Sequence, residues 1–127
     1  MDGASFKKKI IENNLSDSFI FHDLFVEEFV ASVTNSGEEK LIINQFIHRL
    51  NVIKLLDNLN CGLKWLEYLK SCGLYSLHID TKSKNFRLLF SVEKNGKIFL
   101  RLFDEKSGKK QTSYAKNIEI ALDRKQA

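Results

Sequence analysis

A β-hairpin is the feature that most constrains the fold of this chain. Residues 84–110 have the pattern of two alternating strands joined by Asn95-Gly96 and followed by a basic loop. Asn-Gly between two apolar runs is a strong hairpin signal, because both residues tolerate the positive φ of a type I′ turn. Each strand carries more large apolar residues than a two-stranded ribbon can bury by itself. Other parts of the chain must therefore cover the hairpin.

The predicted turn also sets the pairing of the two strands. With a two-residue loop at 95–96, Leu88 opposes Phe103 on a face that we expect helices to cover. Arg87 then opposes Asp104 near the open end of the hairpin. The second face of the sheet is predicted to stay open and to carry the basic loop together with His78, Arg87 and Ser91.

Short elements are predicted at the start of the chain. Residues 5–14 favour a helix, and Ser16–Phe21 a short strand at an edge of the sheet. Asp23 is predicted to cap a helix over Leu24–Val33. Residues 1–15 are interpreted as a possible N-terminal extension of a single domain that spans the 127 residues.

A long helix is predicted next. Ser36 with Glu39 three residues later matches a capping box, and Gly62 matches a left-handed stop, so the helix spans 37–60. Its apolar residues recur at helical spacing, which is more often a core-facing stripe than a cofactor site. They are Ile43, Phe46, Ile47, Leu50 and Ile53.

The remaining elements complete an α+β fold. Leu63–Ser71 is predicted to be a linker with one or two helical turns, followed by a strand at Leu74–Asp80. Thr112 or Ser113 is predicted to cap a last helix. We therefore expect an antiparallel sheet of three to four strands, two N-terminal helices on one face and a short C-terminal helix.

Composition excludes several classes of protein. Cys61 and Cys72 match neither a disulfide framework nor a zinc site, and free thiols indicate a reducing, cytoplasmic compartment. The N-terminus lacks the apolar segment of a secretory signal. No apolar run approaches the roughly 18 residues of a membrane span. We expect no metal, no cofactor and no membrane partner.

Positive charge is concentrated around the hairpin. The net charge is +4, but residues 82–110 hold nine Lys or Arg and only three Asp or Glu. A basic patch of this kind suits an anionic partner such as nucleic acid or an acidic protein. A solvated face with no partner explains the charge equally well.

Three segments resemble a known family. GLYSLHI (73–79), FRLLFSVEKNGKIFLRLF (86–103) and EKSGKKQTSYAKNIEIALDR (105–124) are similar to the RelE/ParE toxin superfamily. The resemblance points to its HigB-like, phage-derived branch of type II toxin–antitoxin toxins. There the pattern runs GLYELR, YRILY, a turn, an apolar strand ending in Phe, KK(T) and a helix.

The resemblance implies a RelE-like fold and an activity. Members of this branch cleave mRNA, usually inside the ribosome, and are neutralised by a cognate antitoxin that is often a helix-turn-helix protein. Operator DNA is then bound only through the antitoxin. The Arg of YRILY is kept as Arg87, whereas His78 replaces the Arg of GLYELR.

RNA cleavage through the 2′-hydroxyl needs a base, cations at the phosphate and an acid, without a metal. Arg87 is the leading candidate, because a guanidinium binds two phosphate oxygens and stays charged. The alternative is a surface salt bridge with Asp104. His78 can act as base or acid near neutral pH, or it can be an ordinary polar residue on the sheet.

Residues after the hairpin complete the candidate set. Some lysines can clamp phosphates or donate a proton, or can simply be solvated: Lys106, Lys109 and Lys110. Tyr114 can stack on a base or bind a phosphate, or it can anchor the last helix. Other cations are expected to raise affinity for RNA without reading its sequence: Lys82, Lys84 and Arg101.

Two other functions fit the same residues. A ParE-like toxin on the same fold would inhibit DNA gyrase without nuclease activity. A basic module that only binds nucleic acid or a partner would have no enzymatic activity at all.

Overall fold

Helices cover both faces of a five-stranded sheet in the computed structural model, which describes residues 1–126. The helices are α1 (Gly3–Glu12), α2 (Asp23–Ser36), α3 (Glu39–Leu55) and α4 (Lys110–Gln126). The strands are β1 (Phe19–Phe21), β2 (Leu66–Leu69), β3 (Leu74–Asp80), β4 (Asn85–Glu93) and β5 (Gly96–Asp104). Their order is β1-β5-β4-β3-β2, with β1 parallel to β5 and the other pairs antiparallel. The α+β class is confirmed.

The detailed layout differs from the expectation of three to four strands, two N-terminal helices and a short last helix. The sheet is mixed and has five strands, and three helices precede the hairpin. α4 has 17 residues, so it is not short. α1 belongs to the core, since Phe6 and Ile10 are buried in it.

Aromatic side chains form the core between the sheet and α1–α3. Eight of the ten phenylalanines form one network of neighbouring rings: Phe6, Phe19, Phe21, Phe25, Phe29, Phe46, Phe90 and Phe99. Large rings bury much apolar area per residue, and edge-to-face or offset contacts add to that burial. This layer attaches α1, α2 and α3 to the hairpin.

The second face of the sheet is covered, so the prediction of an open face is wrong for most of its area. Tyr114 and Ala121 of α4 pack on a second apolar cluster from β3, β4 and β5, which contains Leu74, Leu89, Leu100 and Phe103. The strands carry apolar residues on both faces, and α4 is long enough to cover the second set. The end of this face near His78 has a polar lining.

The hairpin forms with a different turn and register. Glu93 pairs with Gly96, so the two-residue loop is Lys94-Asn95 rather than Asn95-Gly96. A β-bulge between Leu89 and Phe90 shifts the register once more. Arg87 therefore opposes Phe103, and the predicted pairing of Arg87 with Asp104 is wrong.

Gly96 has a role other than the predicted turn. Its φ is +136°, and a Cβ there would lie 2.9 Å from the carbonyl oxygen of Ser18. The same carbonyl accepts a hydrogen bond from the Lys97 amide at 3.1 Å. The glycine is needed where the chain enters β1 alongside β5.

Several predicted helix ends are also wrong. His22, not Asp23, caps α2, because its Nδ1 accepts a hydrogen bond from the Leu24 amide at 3.1 Å. α2 runs on to Ser36 and ends at Gly37, whose φ is +74°. The Ser36 hydroxyl accepts from the Glu38 amide at 2.9 Å instead of capping α3 through a box with Glu39.

Two further ends differ in the same way. α3 stops at Leu55, so Gly62 lies beyond its end although its φ is +80°. α4 begins at Lys110, so Thr112 and Ser113 lie inside the helix rather than at its cap.

Leu63–Ser71 contains a strand where helical turns were predicted. β2 pairs with β3 along its full length, from Leu66 opposite Leu77 to Leu69 opposite Leu74. Leu66 faces the main core while Glu67 faces α4. β2 and β1 are the two edges of the sheet, and the edge position predicted for the first strand is confirmed.

A carboxylate joins the two helical layers next to β5. Glu28 of α2 accepts hydrogen bonds from the Leu102 amide at 3.2 Å and from Arg124 of α4 at 2.7 and 2.8 Å. It also forms an ion pair with Arg101. The side chain is about one-fifth exposed, so the ion pairs are only partly screened by solvent.

We expect Glu28→Ala to lower the free energy of unfolding by about 1–3 kcal/mol, because two guanidinium groups and one amide lose an acceptor. Urea denaturation measures this loss. Glu27→Ala, at an exposed neighbouring position, is the matched control and should change stability by less than about 0.5 kcal/mol. Equal effects of the two substitutions would contradict this role of Glu28.

Candidate functional site

His78 lies at the centre of a polar cluster beside the first turns of α4. Its Nε2 atom is 3.5 Å from Oε1 of Glu67 on β2 and 3.4 Å from the hydroxyl of Tyr114 on α4. Arg87 is its direct cross-strand neighbour on β4. Three strands and one helix thus contribute to one site.

The Tyr114 hydroxyl is held from two sides. Besides His78, it shares a 2.8 Å hydrogen bond with the buried hydroxyl of Ser76. The ring packs edge-on against Phe103 with 5.1 Å between centroids. Burial raises the pKa of Tyr114 to about 12, and the negative charges of Glu67 and Glu105 add to that rise. Tyr114 therefore keeps its proton at neutral pH and can donate it in a hydrogen bond.

His78 is neutral at pH 7. Burial lowers its pKa below the ordinary 6.5, and the positive charge of Arg87 lowers it further. Glu67, Asp80 and Glu105 act in the opposite direction. A neutral imidazole in a partly exposed position, with one-fifth of the side chain accessible, is the form that can accept a proton.

Arg87 is buried, with 8% of its surface exposed. Its guanidinium donates hydrogen bonds to Asp80 at 2.7 Å, to Glu105 at 2.9 Å and to the Phe86 carbonyl at 3.0 Å. Burial alone would lower the pKa of Arg87, but the bonds to the two carboxylates outweigh it and raise the pKa. Arg87 is a permanent charge beside His78 whose donors are largely occupied.

Two loops bring most of the predicted lysines to the same end of the sheet. The Glu105 amide bonds the Asn85 carbonyl at 2.8 Å, which joins the loop before β4 to the loop after β5. The lysines gathered there are Lys82, Lys84, Lys106, Lys109 and Lys110.

Acidic side chains bind three of these lysines. Lys84 and Lys106 both contact Asp104, at 3.6 and 2.9 Å, and Lys110 contacts Glu67 at 3.4 Å. Within residues 1–126, Lys82 and Lys109 form no ion pair. The basic surface is therefore partly neutralised.

Arg101 lies apart from the cluster. Its Nε atom donates a hydrogen bond to Oδ1 of Asn117 on α4 at 2.7 Å, and its guanidinium forms an ion pair with Glu28 of α2. The β-bulge places it next to Leu100 on the α4 face rather than on the face of α1–α3. Its position supports a structural role in the Glu28 network.

Several residues of the site were not among those predicted from the sequence: Ser76, Asp80 and Glu105, and also Glu67 and Arg49. Glu67 lies in the segment assigned to a linker, and its position facing His78 depends on the pairing of β2 with β3. Arg49 of α3 reaches the backbone of β3, donates to the His78 carbonyl and stacks 5.3 Å from the Trp65 ring centroid. The alternation in LKWLEYL was the one signal for β2, and nothing in the stripe of α3 indicated Arg49.

The Glu67 carboxylate connects the basic groups of the site. Oε2 contacts Lys110, and Oε1 is buried with no hydrogen-bond partner other than the nearby imidazole. Nε2 of His78 lies 3.5 Å from Oε1, so a proton on Nε2 would face this oxygen and leave the lone pair on Nδ1. Carboxylate–imidazole pairs fix the tautomer of histidine in this way.

Comparisons with models of protein families, with curated proteins and with solved structures gave no match to this chain. No helix within residues 1–126 combines the length and the apolar character needed to cross a membrane. In the same range, no three side chains of the His, Cys, Asp or Glu type are grouped to hold a metal ion.

Proposed function

We propose that this protein is the toxin of a type II toxin–antitoxin system and cleaves mRNA on the ribosome without a metal ion. The observation that carries the proposal is the neutral imidazole of His78 held between a carboxylate and a tyrosine hydroxyl, with lysines on two adjoining loops. The resemblance of residues 73–79, 86–103 and 105–124 to the RelE/ParE superfamily supports the choice of substrate. Its partners would be mRNA, the ribosome and a cognate antitoxin in the cytoplasm.

His78 acts as the base in the proposed reaction. Nδ1 takes the proton of the 2′-hydroxyl, whose oxygen forms a bond to the adjacent phosphorus. The bond from phosphorus to the 5′-oxygen breaks, which leaves a 2′,3′-cyclic phosphate and a 5′-hydroxyl. Glu67 orients the imidazole and stabilises the imidazolium that forms, as the carboxylate does in hydrolytic triads.

The other groups stabilise the extra charge on phosphorus. Tyr114 donates a hydrogen bond, and Lys109 and Lys110 supply positive charge from an exposed position. The 5′-oxygen takes its proton from Lys110 or from water. Arg87 contributes positive charge beside His78, while its Nε and Nη1 groups are bound to Glu105 and Asp80.

Induced expression in a bacterial host tests the class of activity. Primer extension on a reporter transcript should reveal new 5′ ends soon after induction, and growth should stop. Intact transcripts together with broken chromosomal DNA would instead indicate a gyrase-inhibiting toxin. Co-expression of a neighbouring helix-turn-helix gene should restore growth if the protein has a cognate antitoxin.

A non-enzymatic toxin or binding module is the second candidate. The specific observation in its favour is that three of the five N–H donors of Arg87, the residue retained from the YRILY motif, are already bonded to Asp80, Glu105 and the Phe86 carbonyl. Under this alternative, growth arrest would survive substitutions at His78 and Tyr114. Growth on plates that induce the wild type or these variants therefore distinguishes the two candidates.

The pH dependence of cleavage gives an independent test of the His78–Glu67 pair. Activity requires neutral His78 and should fall as the pH drops through its pKa, which lies below 6.5. Glu67→Gln removes a negative charge that raises this pKa, so the acidic limb of the pH–rate profile should move to lower pH. The variant keeps the other charged and polar neighbours of His78, which are Arg87, Asp80, Glu105 and Tyr114.

Glu93→Gln is the matched control for this shift. Glu93 pairs with Lys125 at the turn end of the hairpin, so its loss should leave the acidic limb in place. A limb that moved to higher pH in Glu67→Gln, or that moved equally in both variants, would contradict the assignment of His78 as the base.

A further inference from the structure

A groove runs from the His78 site along α4. Its floor and walls are formed by Leu69 at the end of β2 and by Tyr114, Ala115 and Ile118 of α4, and it encloses about 580 Å³. The lining is largely apolar and the groove is open along one side. Its volume lies within the range of sites that bind small flat molecules.

The groove and the proposed catalytic site share two side chains, those of Tyr114 and Lys110. The Tyr114 ring lines the groove, while its hydroxyl is 3.4 Å from His78 Nε2. Lys110 lies at the junction, with Nζ 5.8 Å from the centre of the Tyr114 ring and 3.4 Å from Glu67. An anionic group bound near His78 and Lys110 would therefore continue directly into an apolar slot.

We infer that this groove binds an unpaired nucleobase next to the phosphate that is cleaved, an inference that rests on the proposed nuclease activity. RNA combines the two features required here, a phosphate for the basic end and a flat apolar ring for the slot. The Lys109–Lys110 pair at the entrance complements the negative charge of the backbone. The apolar walls of Leu69 and Ile118 suit the faces of a base.

Polar groups at the rim give the slot a way to distinguish bases. Gln111 of α4 and Ser71, just after β2, both line the groove, and both are exposed. An amide offers one donor side and one acceptor side, which can pair with the edge of a base. Neither group is required for the chemistry at phosphorus.

Photocrosslinking locates the base directly. A short mRNA with 4-thiouridine next to the cleavage position is bound to ribosomes with the His78→Gln variant, which leaves the RNA intact. We expect crosslinks to peptides that contain residues 69–71 or 110–118. Crosslinks confined to other parts of the protein, or none to the protein, would overturn the inference.

Ala115→Phe fills the slot from an exposed position, so folding should be preserved and thermal unfolding checks that it is. The variant should lose the crosslink and lower kcat/KM for mRNA cleavage about 5- to 150-fold, the range for one lost base contact. Ala4→Phe, at an exposed site on α1, should leave both unchanged.

The outcomes separate this inference from the proposed function. Cleavage by the wild type with full activity of Ala115→Phe would reject the base slot and keep the nuclease. Absence of cleavage by the wild type, with no crosslink, would reject both.

Discussion

Replacing His78 with glutamine is expected to reduce the rate of mRNA cleavage about 10²- to 10⁴-fold, which is the usual contribution of a general base. Glutamine keeps a polar side chain of similar length that can contact Glu67 and Tyr114, but it cannot take a proton at neutral pH. Because His78 is partly exposed and outside the two apolar clusters, stability should change little. Cleavage of a reporter mRNA in a purified translation system measures the effect.

Lys94→Ala is the control for this substitution. Lys94 lies in the turn of the hairpin, at the opposite end of β4 from Arg87, so its removal should leave the rate within about twofold while it also removes one basic group. If His78→Gln cleaved mRNA as fast as the wild type, His78 would have no catalytic role. If it stopped growth as well as a wild type that leaves mRNA intact, the second candidate function would be favoured.

Phe99→Ala is expected to have the largest effect on stability, a loss of about 3–5 kcal/mol in the free energy of unfolding. Phe99 is fully buried and its ring lies 4.8 to 6.0 Å, centroid to centroid, from five others. Those neighbours come from β1, α2, α3 and β4, so the cavity would open where the helices meet the sheet. Such a loss is a large part of the 5–15 kcal/mol typical of a domain.

Two variants calibrate that result. Phe99→Leu retains an apolar side chain and should cost no more than about 2 kcal/mol. Val92→Ala removes an exposed apolar side chain from the same hairpin and should cost less than about 0.5 kcal/mol. A loss below about 1 kcal/mol for Phe99→Ala would mean that the aromatic network is not the main core. Urea denaturation followed by far-UV circular dichroism provides all three values.

Alternating hydrophobicity predicts the strands that pair within the sheet, and it fails where a strand is short. β3, β4 and β5 are evident from period-two patterns that continue for seven to nine residues. β2 has four residues, and Leu66 with Leu69 fits a helical turn as well as a strand. Because the linker was misassigned, Glu67 was missing from the predicted site.

Register was harder to predict than the hairpin itself. A single bulge between Leu89 and Phe90 and a turn one residue earlier than expected changed the partner of Arg87. Gly96 was assigned to the turn, but a side chain at this position is excluded by the approach of the Ser18 carbonyl. Contacts of this kind join segments that are far apart in the sequence, so the residues around Gly96 alone do not predict them.

The end of α3 was predicted wrongly because the apolar spacing continues beyond the helix. Leu56 and Leu59 extend the apolar spacing of α3 past its end at Leu55. Leu59 packs against the core from a loop instead. His78, Tyr114 and the lysines do lie together at one end of the sheet, but the carboxylates that pair with them were not predicted.

The most direct test of the central claim is the chemistry of the cleaved ends. The wild-type protein is incubated with ribosomes and an mRNA that is either all ribose or carries one 2′-deoxynucleotide on the 5′ side of the cleavage position. We predict a 2′,3′-cyclic phosphate and a 5′-hydroxyl from the first RNA and no cleavage of the second. Cleavage of both RNAs at equal rates, or of neither, would contradict a site in which His78 activates the 2′-hydroxyl.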